Sequence, residues 1–310
     1  MITVIIPTHN PKPEFLQRTL GALRLQSLPS AEWRLLIIDN ASNTPLDDAL
    51  VSWHPAGRIV REPQLGLTHA RLRAIREAED GLLVWVDDDN LLAAEYLKEA
   101  KAAFDGHPQL GVAGGKSIAE YQDTPPHWFQ PGIAPLGCRD LGEETILSRW
   151  NPQSPEYPAA SPIGAGMMIR KQAILPWAEA VQVDPKRQAL GRKGKSLTSG
   201  EDNDINLTAL RGGWDLAYLP KLELIHLIPP ARLTLDYLCR IARVSFRDFI
   251  RVLDIHGIRP WPSIRKESIP LRAAKAWMRC KAWRGPAEKV LWQSAVGQFE
   301  GRAELGNATR

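Results

Sequence analysis

Val84-Trp85-Val86-Asp87-Asp88-Asp89-Asn90 is the stretch whose reading decides the fold of this chain. An apolar run from Leu82 to Val86 stops abruptly at three carboxylates. A short apolar run bounded by polar residues reads as a fully buried strand. Carboxylates at its C-terminal end project into the crevice where open α/β sheets bind ligands. If the strand persists, Asp87 and Asp89, at i and i+2, point the same way. Like charges this close repel unless a cation or hydrogen-bond donors lie between them. Oxygen ligands suit Mg²⁺ or Mn²⁺, which also hold substrate phosphates. The stretch therefore suggests a divalent cation under a nucleoside diphosphate. Asp and Asn also end strands in plain solvated turns, so the flanking chain has to discriminate.

Upstream, Ile2 to Ile6 is a β-branched strand stopped by Pro7, followed by the polar Thr8-His9-Asn10. Glu14 to Leu25 has helical spacing, with Phe15, Leu16, Thr19, Leu20 and Leu23 on one side. Trp33 to Ile38 is a second buried strand ending in Asp39-Asn40. Strand, helix, strand is a βαβ unit, which predicts parallel pairing and a right-handed crossover. Ile59-Val60 is a short third strand, and Leu65 to Arg71 opens a helix running to about Ala78, with Thr68 as its expected cap. Downstream, a helix is expected over Leu91 to Phe104 and a strand end at Val112-Ala113-Gly114-Gly115. Tyr121 to Pro162 is dense in proline and aromatics, without a period. Order resumes at Ile163 to Arg170, then a helix over Ile205 to Arg211 and strands over Trp214–Tyr218 and Leu222–Ile228, the last carrying His226.

The 310 residues suffice for a large α/β domain with an extension. With 44% hydrophobic and 24% charged residues the composition is that of a soluble globular protein. Met1 to Pro7 is too short for a signal peptide and lacks a basic flank. Cys138, Cys239 and Cys280 are widely spaced and suggest neither a disulfide framework nor a zinc site. A cytoplasmic location is expected. The net charge of +4 is uneven: residues 231–310 hold 16 Lys/Arg against 7 Asp/Glu, so the first 230 residues sum to −5. Arg240, Arg243, Arg247 and Arg251 form a basic stripe on a helix expected over Thr234 to His256. Such a tail can lie peripherally on an anionic membrane at its inner face, or simply expose its arginines to water.

Five motifs in order resemble the inverting family-2 glycosyltransferases, which have the GT-A fold. They are Val4-Ile5-Ile6-Pro7-Thr8-His9-Asn10, Ile37-Ile38-Asp39-Asn40-Ala41-Ser42, Gly66-Leu67-Thr68-His69-Ala70-Arg71, Val86-Asp87-Asp88-Asp89-Asn90 and Gly200-Glu201-Asp202-Asn203-Asp204. The resemblance covers roughly residues 2–230 and departs at Leu72, where the family commonly has Asn. It implies a Rossmann-like, mostly parallel central sheet flanked by helices over 1–230, with a nucleotide-sugar half (1–115), an acceptor half (116–230) and a basic helical extension (231–310).

The resemblance also implies roles. Asp89 binds Mn²⁺ or Mg²⁺, with His226 as a further ligand or else a satisfied rim histidine. Asp87 contacts ribose or a metal-bound water, and Asp88 can take its place at the ribose. Asp39 accepts from the base; Pro7, Thr8 and Asn10 hold base and ribose; Arg71 meets the diphosphate or braces the aspartates. Asp202 is the general base, although Ser199-x-x-Asp202 also matches a helix capping box. Glu201 is the runner-up for base or else binds acceptor hydroxyls, and Trp128 stacks on a sugar face of the acceptor or packs its own loop. The expected partners are a nucleotide-sugar donor and a saccharide or lipid-linked acceptor, with no nucleic acid. The rival readings are a metal-dependent nucleotidyltransferase, for which no phosphate-gripping glycine loop is present, and a membrane- or nucleic-acid-binding protein with a degenerate α/β domain.

Overall fold

The computed structural model describes residues 1–194 and 196–305. Lys195, one of the cations in the basic, glycine-containing stretch from Lys186 to Lys195 that precedes Asp202 in the sequence, lies outside the described residues. The chain forms two compact units. Unit one is Met1–Glu120, Gly137–Pro185 and Asp204–Leu227; unit two is Tyr121–Leu136, Lys186–Asn203 and the chain from Ile228 on. Segments 121–136 and 186–203 belong to the same compact unit as the helical C-terminal part.

Unit one begins β1 (Ile2–Thr8), α1 (Pro13–Arg24), β2 (Trp33–Asn40), β3 (Gly57–Glu62), α2 (Leu67–Glu77) and β4 (Leu82–Trp85). It continues β5 (Asn90–Leu92), α3 (Tyr96–Gly106), β6 (Leu110–Tyr121), β7 (Ile146–Ser148), β8 (Met168–Arg170) and α4 (Lys171–Val183). After the single-turn α5 (Pro185–Gln188) come α6 (Glu201–Arg211) and β9 (Asp215–Ile228). The sheet order is β3-β2-β1-β4-β8-β6-β9-β5, with β7 also on β9.

All seven residues of β1 and all four of β4 are buried, as the continuous apolar runs require. β3, β2, β1 and β4 pair in parallel; α1 carries the crossover from β1 to β2 and α2 that from β3 to β4. β4–β8, β6–β8, β5–β9 and β7–β9 are antiparallel. The sheet is thus parallel across β3, β2, β1 and β4 and carries antiparallel pairs beyond them. The chain moves outward from β1 to β2 and β3, then returns to the other side of β1 as β4. The β1/β4 boundary is a topological switch point, where such sheets open a ligand crevice.

Three local expectations change. Asn90 to Leu92 is a strand against β9, and the following helix begins only at Tyr96. Trp214–Tyr218 and Leu222–Ile228 are one strand, β9. α2 is capped by Gly66 at φ 141°, not by Thr68, which lies inside the first turn.

Unit two is built on α7 (Leu235–Ile255), α8 (Ile269–Cys280) and α9 (Pro286–Glu304). Thr234 caps α7, its hydroxyl accepting from the Tyr237 N–H at 3.3 Å. Leu238, Ile241 and Ala242 of α7 form a core with Val290 of α9 and Ala134, which Trp128 and Phe129 cover. The arginine stripe of α7 is spent on carboxylates. Arg243 pairs with Glu300, Arg251 with Glu304 and Asp248, Arg247 with Asp248, and Arg240 with Asp236.

α9 approaches α7 through glycines: a Cβ on Gly297 would lie 2.0 Å from the Arg243 carbonyl oxygen. Backbone cannot yield as a side chain does, so Gly297→Ala is expected to destabilise the protein by about 2–3 kcal/mol. Gly21→Ala, in mid-helix with nothing within 4 Å of the added carbon, is expected to stabilise by about 0.5–1 kcal/mol. Denaturant unfolding of both variants checks the pair.

Candidate active site

The sequence motifs of unit one assemble at the C-terminal ends of β1, β2 and β4. β4 ends at Trp85, so Asp87, Asp88 and Asp89 do not alternate along a strand as expected; they form a turn closed by the Asn90 N–H donating to the Asp87 carbonyl at 3.0 Å. The Asn90 side chain braces it, accepting from the Asp87 N–H at 3.2 Å and donating to the Asp89 carboxylate at 3.1 Å. The Thr8 hydroxyl, at the end of β1, donates to the Asp88 carboxylate across the switch point.

Asp89 is positioned by pairing. β5 runs antiparallel to β9 with Asn90 opposite His226, and the Leu227 N–H donates to the Asp89 carbonyl at 2.9 Å. Asp89 Oδ1 therefore sits 3.4 Å from His226 Nε2. His226 Nδ1 lies 3.3 Å from the Gly137 carbonyl oxygen, which only accepts, so this contact places the ring proton on Nδ1. In a neutral ring so protonated, Nε2 would turn a lone pair toward the Asp89 carboxylate. Both residues are 5% exposed, and two acceptors held so close and dry require a shared proton or a shared cation.

The pair fits a small divalent cation. Adjacent ligands of an octahedral ion with bonds of about 2.1 Å lie roughly 3 Å apart, close to the observed separation. No group of three or more His, Cys, Asp or Glu side chains forms a cation site among the described residues. Asp89 and His226 could by themselves supply only part of a shell; Mg²⁺-type sites of that kind are completed by substrate phosphates and water. Cys138 Sγ is 3.8 Å from His226 Nδ1, the nitrogen facing away from Asp89.

The end of β2 is organised differently. Asp39 is 1% exposed. Its carboxylate accepts from the Ser42 N–H (3.1 Å), the Leu46 N–H (3.4 Å) and Arg61 Nη1 (2.7 Å). A carboxylate has about four acceptor sites, so the loop occupies most of this one. Asn40 is 3% exposed; it donates to the Gln64 and Glu62 carbonyls and accepts from the Gly66 N–H at 2.8 Å, fixing the entry to α2. The Asn10 N–H donates to Ser42 Oγ at 2.9 Å, and its side chain accepts from the Asn43 N–H at 2.8 Å. His9 Nδ1 donates to the Asn40 carbonyl at 2.8 Å. Arg71 is 3% exposed on α2, its guanidinium 5.4 Å from the Trp85 ring centroid. Pro7 is buried in β1.

Glu201 and Asp202 open α6 and belong to unit two. Glu201 is buried, and Asp202 is half-buried with Oδ1 accepting from the Asn203 N–H at 2.9 Å. Asp204 is fully buried and accepts from the Trp177 indole at 3.0 Å, so its part is to hold the helix. Trp128 is half-buried against the helical core of unit two. Asp248 was not foreseen. It is 0% exposed on α7, held by two arginines, and its carboxylate accepts from the Ser199 N–H at 3.4 Å, which ties down the segment ahead of Asp202. Asn40, Arg61, Asn90 and Gly137 were also missed. The two asparagines stood in view beside their aspartates, whereas Arg61 and Gly137 give no local signal.

A family model for glycosyl transferase family 2 matches residues 3–174. The chain belongs to glycosyltransferase family 2. Among curated relatives, an N-acetylglucosaminyltransferase of Sinorhizobium fredii is 25% identical over 268 residues, covering 81% of this chain and 59% of the relative. A validoxylamine A glucosyltransferase of Streptomyces hygroscopicus is 29% identical over 131 residues, covering 41% of this chain and 28% of that one. The chain spans roughly half the length of the curated N-acetylglucosaminyltransferases it matches, between 49% and 59%. Staphylococcus aureus TarS 1–349 in complex with UDP-GlcNAc superposes with a TM-score of 0.52 at 15% identity, covering 100% of this chain and 93% of that one. The Pyrobaculum calidifontis mannosyltransferase PcManGT, in complex with GDP-Man and Mn²⁺, gives 0.54 at 16% identity, covering 95% and 73%. The fold is that of the GT-A glycosyltransferases.

Removing the Asn40 side chain strands the Gly66 N–H and two carbonyls in a buried setting. Asn40→Ala is expected to cost about 2–3 kcal/mol. Hydrogen exchange should show the Gly66 amide losing protection well before amides of β1.

Proposed function

We propose that the chain transfers a sugar from a nucleoside-diphosphate donor to an acceptor hydroxyl, with inversion and with a divalent cation. The observation that carries this reading is the buried Asp89–His226 pair beside the β1/β4 switch point. Asp89 and His226 would hold Mn²⁺ or Mg²⁺. Such an ion, when bound, neutralises the charge that develops on a leaving diphosphate.

The remaining roles fall to the chain's own groups. Asp87 and Asp88 take the ribose, Asp88 kept in place by the Thr8 hydroxyl. Pro7, Thr8, Asn10 and Asp39 line the base and ribose region, with Arg61 holding the Asp39 carboxylate. Arg71 braces this end of the sheet from beneath. Gly137 fixes the His226 tautomer through its carbonyl and leaves room for the ring by having no side chain. Asp202 is the general base, taking the acceptor hydroxyl proton as oxygen attacks the anomeric carbon. Glu201 and the uncovered part of Trp128 meet the acceptor. UDP-GlcNAc is the first donor to try, because relatives are named N-acetylglucosaminyltransferases and TarS was captured with that nucleotide sugar. A saccharide or lipid-linked acceptor in cell-surface polysaccharide assembly suits this chemistry.

Thermal-shift titration with UDP and GDP, each with and without Mn²⁺, tests the reading. A Mn²⁺-dependent shift with one nucleotide is expected. Asp202→Asn should retain that shift while transfer falls about 10³-fold; normal transfer by this variant rules out the base assignment. Asp89→Ala and His226→Ala should lose only the Mn²⁺-dependent part.

Gly137→Ala provides a separate check. Its added carbon would stand 3.1 Å from His226 Cε1 and 3.3 Å from Nδ1. Gly142→Ala shares the positive φ but meets nothing within 4 Å. Mn²⁺ affinity in the presence of UDP, read by electron paramagnetic resonance, should weaken in the first variant and stay constant in the second.

A further inference from the structure

Helix α8 carries a face that the rest of unit two leaves uncovered. Its inner side is settled on α9: Ala276 is 2% exposed, and Trp277 meets Trp292 edge-on at 4.8 Å. The Trp292 indole donates to the Ala273 carbonyl at 3.0 Å. The outer side is apolar where water would favour polar groups. Leu271 is 62% exposed and Met278, seven residues on and hence on the same side, is 64% exposed. Trp283, just past the helix, is 53% exposed.

The charge on this face is of one sign. Ile269 to Arg284 holds Arg272, Lys275, Arg279, Lys281 and Arg284 and no Asp or Glu. None of the five is in an ion pair among the described residues. The arginines of α7 behave oppositely, each held by a carboxylate. The basic excess of the tail is therefore available on α8 and not on the stripe that helical spacing singles out in the sequence.

We propose that α8 and Trp283 form a peripheral docking surface for an anionic phospholipid membrane. Leu271, Met278 and Trp283 enter the boundary between headgroups and acyl chains, while the five cations sit at the phosphates. This combination of large apolar side chains with unpaired lysine and arginine is what an interfacial helix needs. A second copy of the chain fits poorly, because a two-fold contact would press five cations against five. Nucleic acid offers phosphates but nothing for three exposed apolar side chains to enter. No helix among the described residues is long and apolar enough to cross a membrane, so the attachment is to one surface. The proposal goes beyond the glycosyl-transfer reading and does not rest on it.

Vesicle co-sedimentation of the full chain tests it, comparing phosphatidylcholine alone with the same lipid containing about 30 mol% phosphatidylglycerol. Each cation near an anionic surface strengthens partitioning about fivefold. Binding to the anionic vesicles only is expected, and Lys275→Glu with Arg279→Glu should weaken it by more than about 25-fold. Leu271→Ser with Met278→Ser keeps every cation and should abolish whatever binding survives about 0.5 M salt. Arg240→Glu, on the paired stripe of α7, should bind as the unaltered chain does. All substituted positions are exposed, and an unchanged melting temperature shows that folding is intact. Undiminished binding by Lys275→Glu with Arg279→Glu overturns the proposal, as does absence of binding to either vesicle. A dimer in light scattering that Leu271→Ser with Met278→Ser dissolves, without vesicle binding, assigns the face to a second copy instead.

Discussion

The candidate centre depends on one short ladder. Three residues of β5, Asn90 to Leu92, pair antiparallel with Leu224 to His226 of β9. That pairing sets a carboxylate from the middle of the sequence beside an imidazole from 137 positions later. Both are buried, so water cannot screen or solvate them, and the 3.4 Å gap becomes a demand for a proton or a cation. A slip of one residue in this ladder would send His226 to the opposite face of the sheet. Gly137 adds a constraint on the other side of the ring, since its carbonyl accepts from Nδ1 and orients Nε2 toward Asp89.

Around this point the strand ends are held by polar side chains that serve the protein itself. Asp39 and Asp89 look alike in the sequence, each following a buried strand and preceding Asn. Their surroundings differ. Asp39 is surrounded by donors, two backbone N–H groups and Arg61, which neutralise it and consume most of its acceptor capacity. Asp89 has an amide donor from Asn90 and faces a ring nitrogen. The first carboxylate is largely committed to its loop, and the second faces an imidazole from a distant strand. Asn40 and Asn90 are the corresponding braces, each closing the turn after its strand.

Unit two shows how charge in a sequence and charge on a surface part company. Four arginines at helical spacing on α7 look like a cationic face. In the fold they meet Asp236, Asp248, Glu300 and Glu304, and α9 comes close enough for this because Gly297 and Gly301 present no side chain to α7. An exposed pair such as Arg240–Asp236 contributes little stability, but together with the pairs made to the buried Asp248 these contacts cancel the field of the stripe. The uncompensated field moves to α8, where exposed Leu271 and Met278 share the surface with lysine and arginine.

The sequence by itself determined the elements that local periodicity governs: the buried strands β1, β2 and β4, the helices α1, α2 and α7, and the polar segments that carry five family motifs, three of them acidic. Burial on both faces writes a continuous apolar run, and amphipathic packing writes a 3.6-residue period, so these survive without knowledge of partners. Tertiary structure alone decided the rest. Asn90 to Leu92 is too short to have a period and is a strand only because β9 lies beside it. The meeting of Asp89 with His226 and Gly137, the commitment of Asp39 to Arg61, and the pairing of the α7 arginines all join residues distant in the chain. Contacts of that kind are selected by the shape of the whole core, and no local pattern of side chains encodes them.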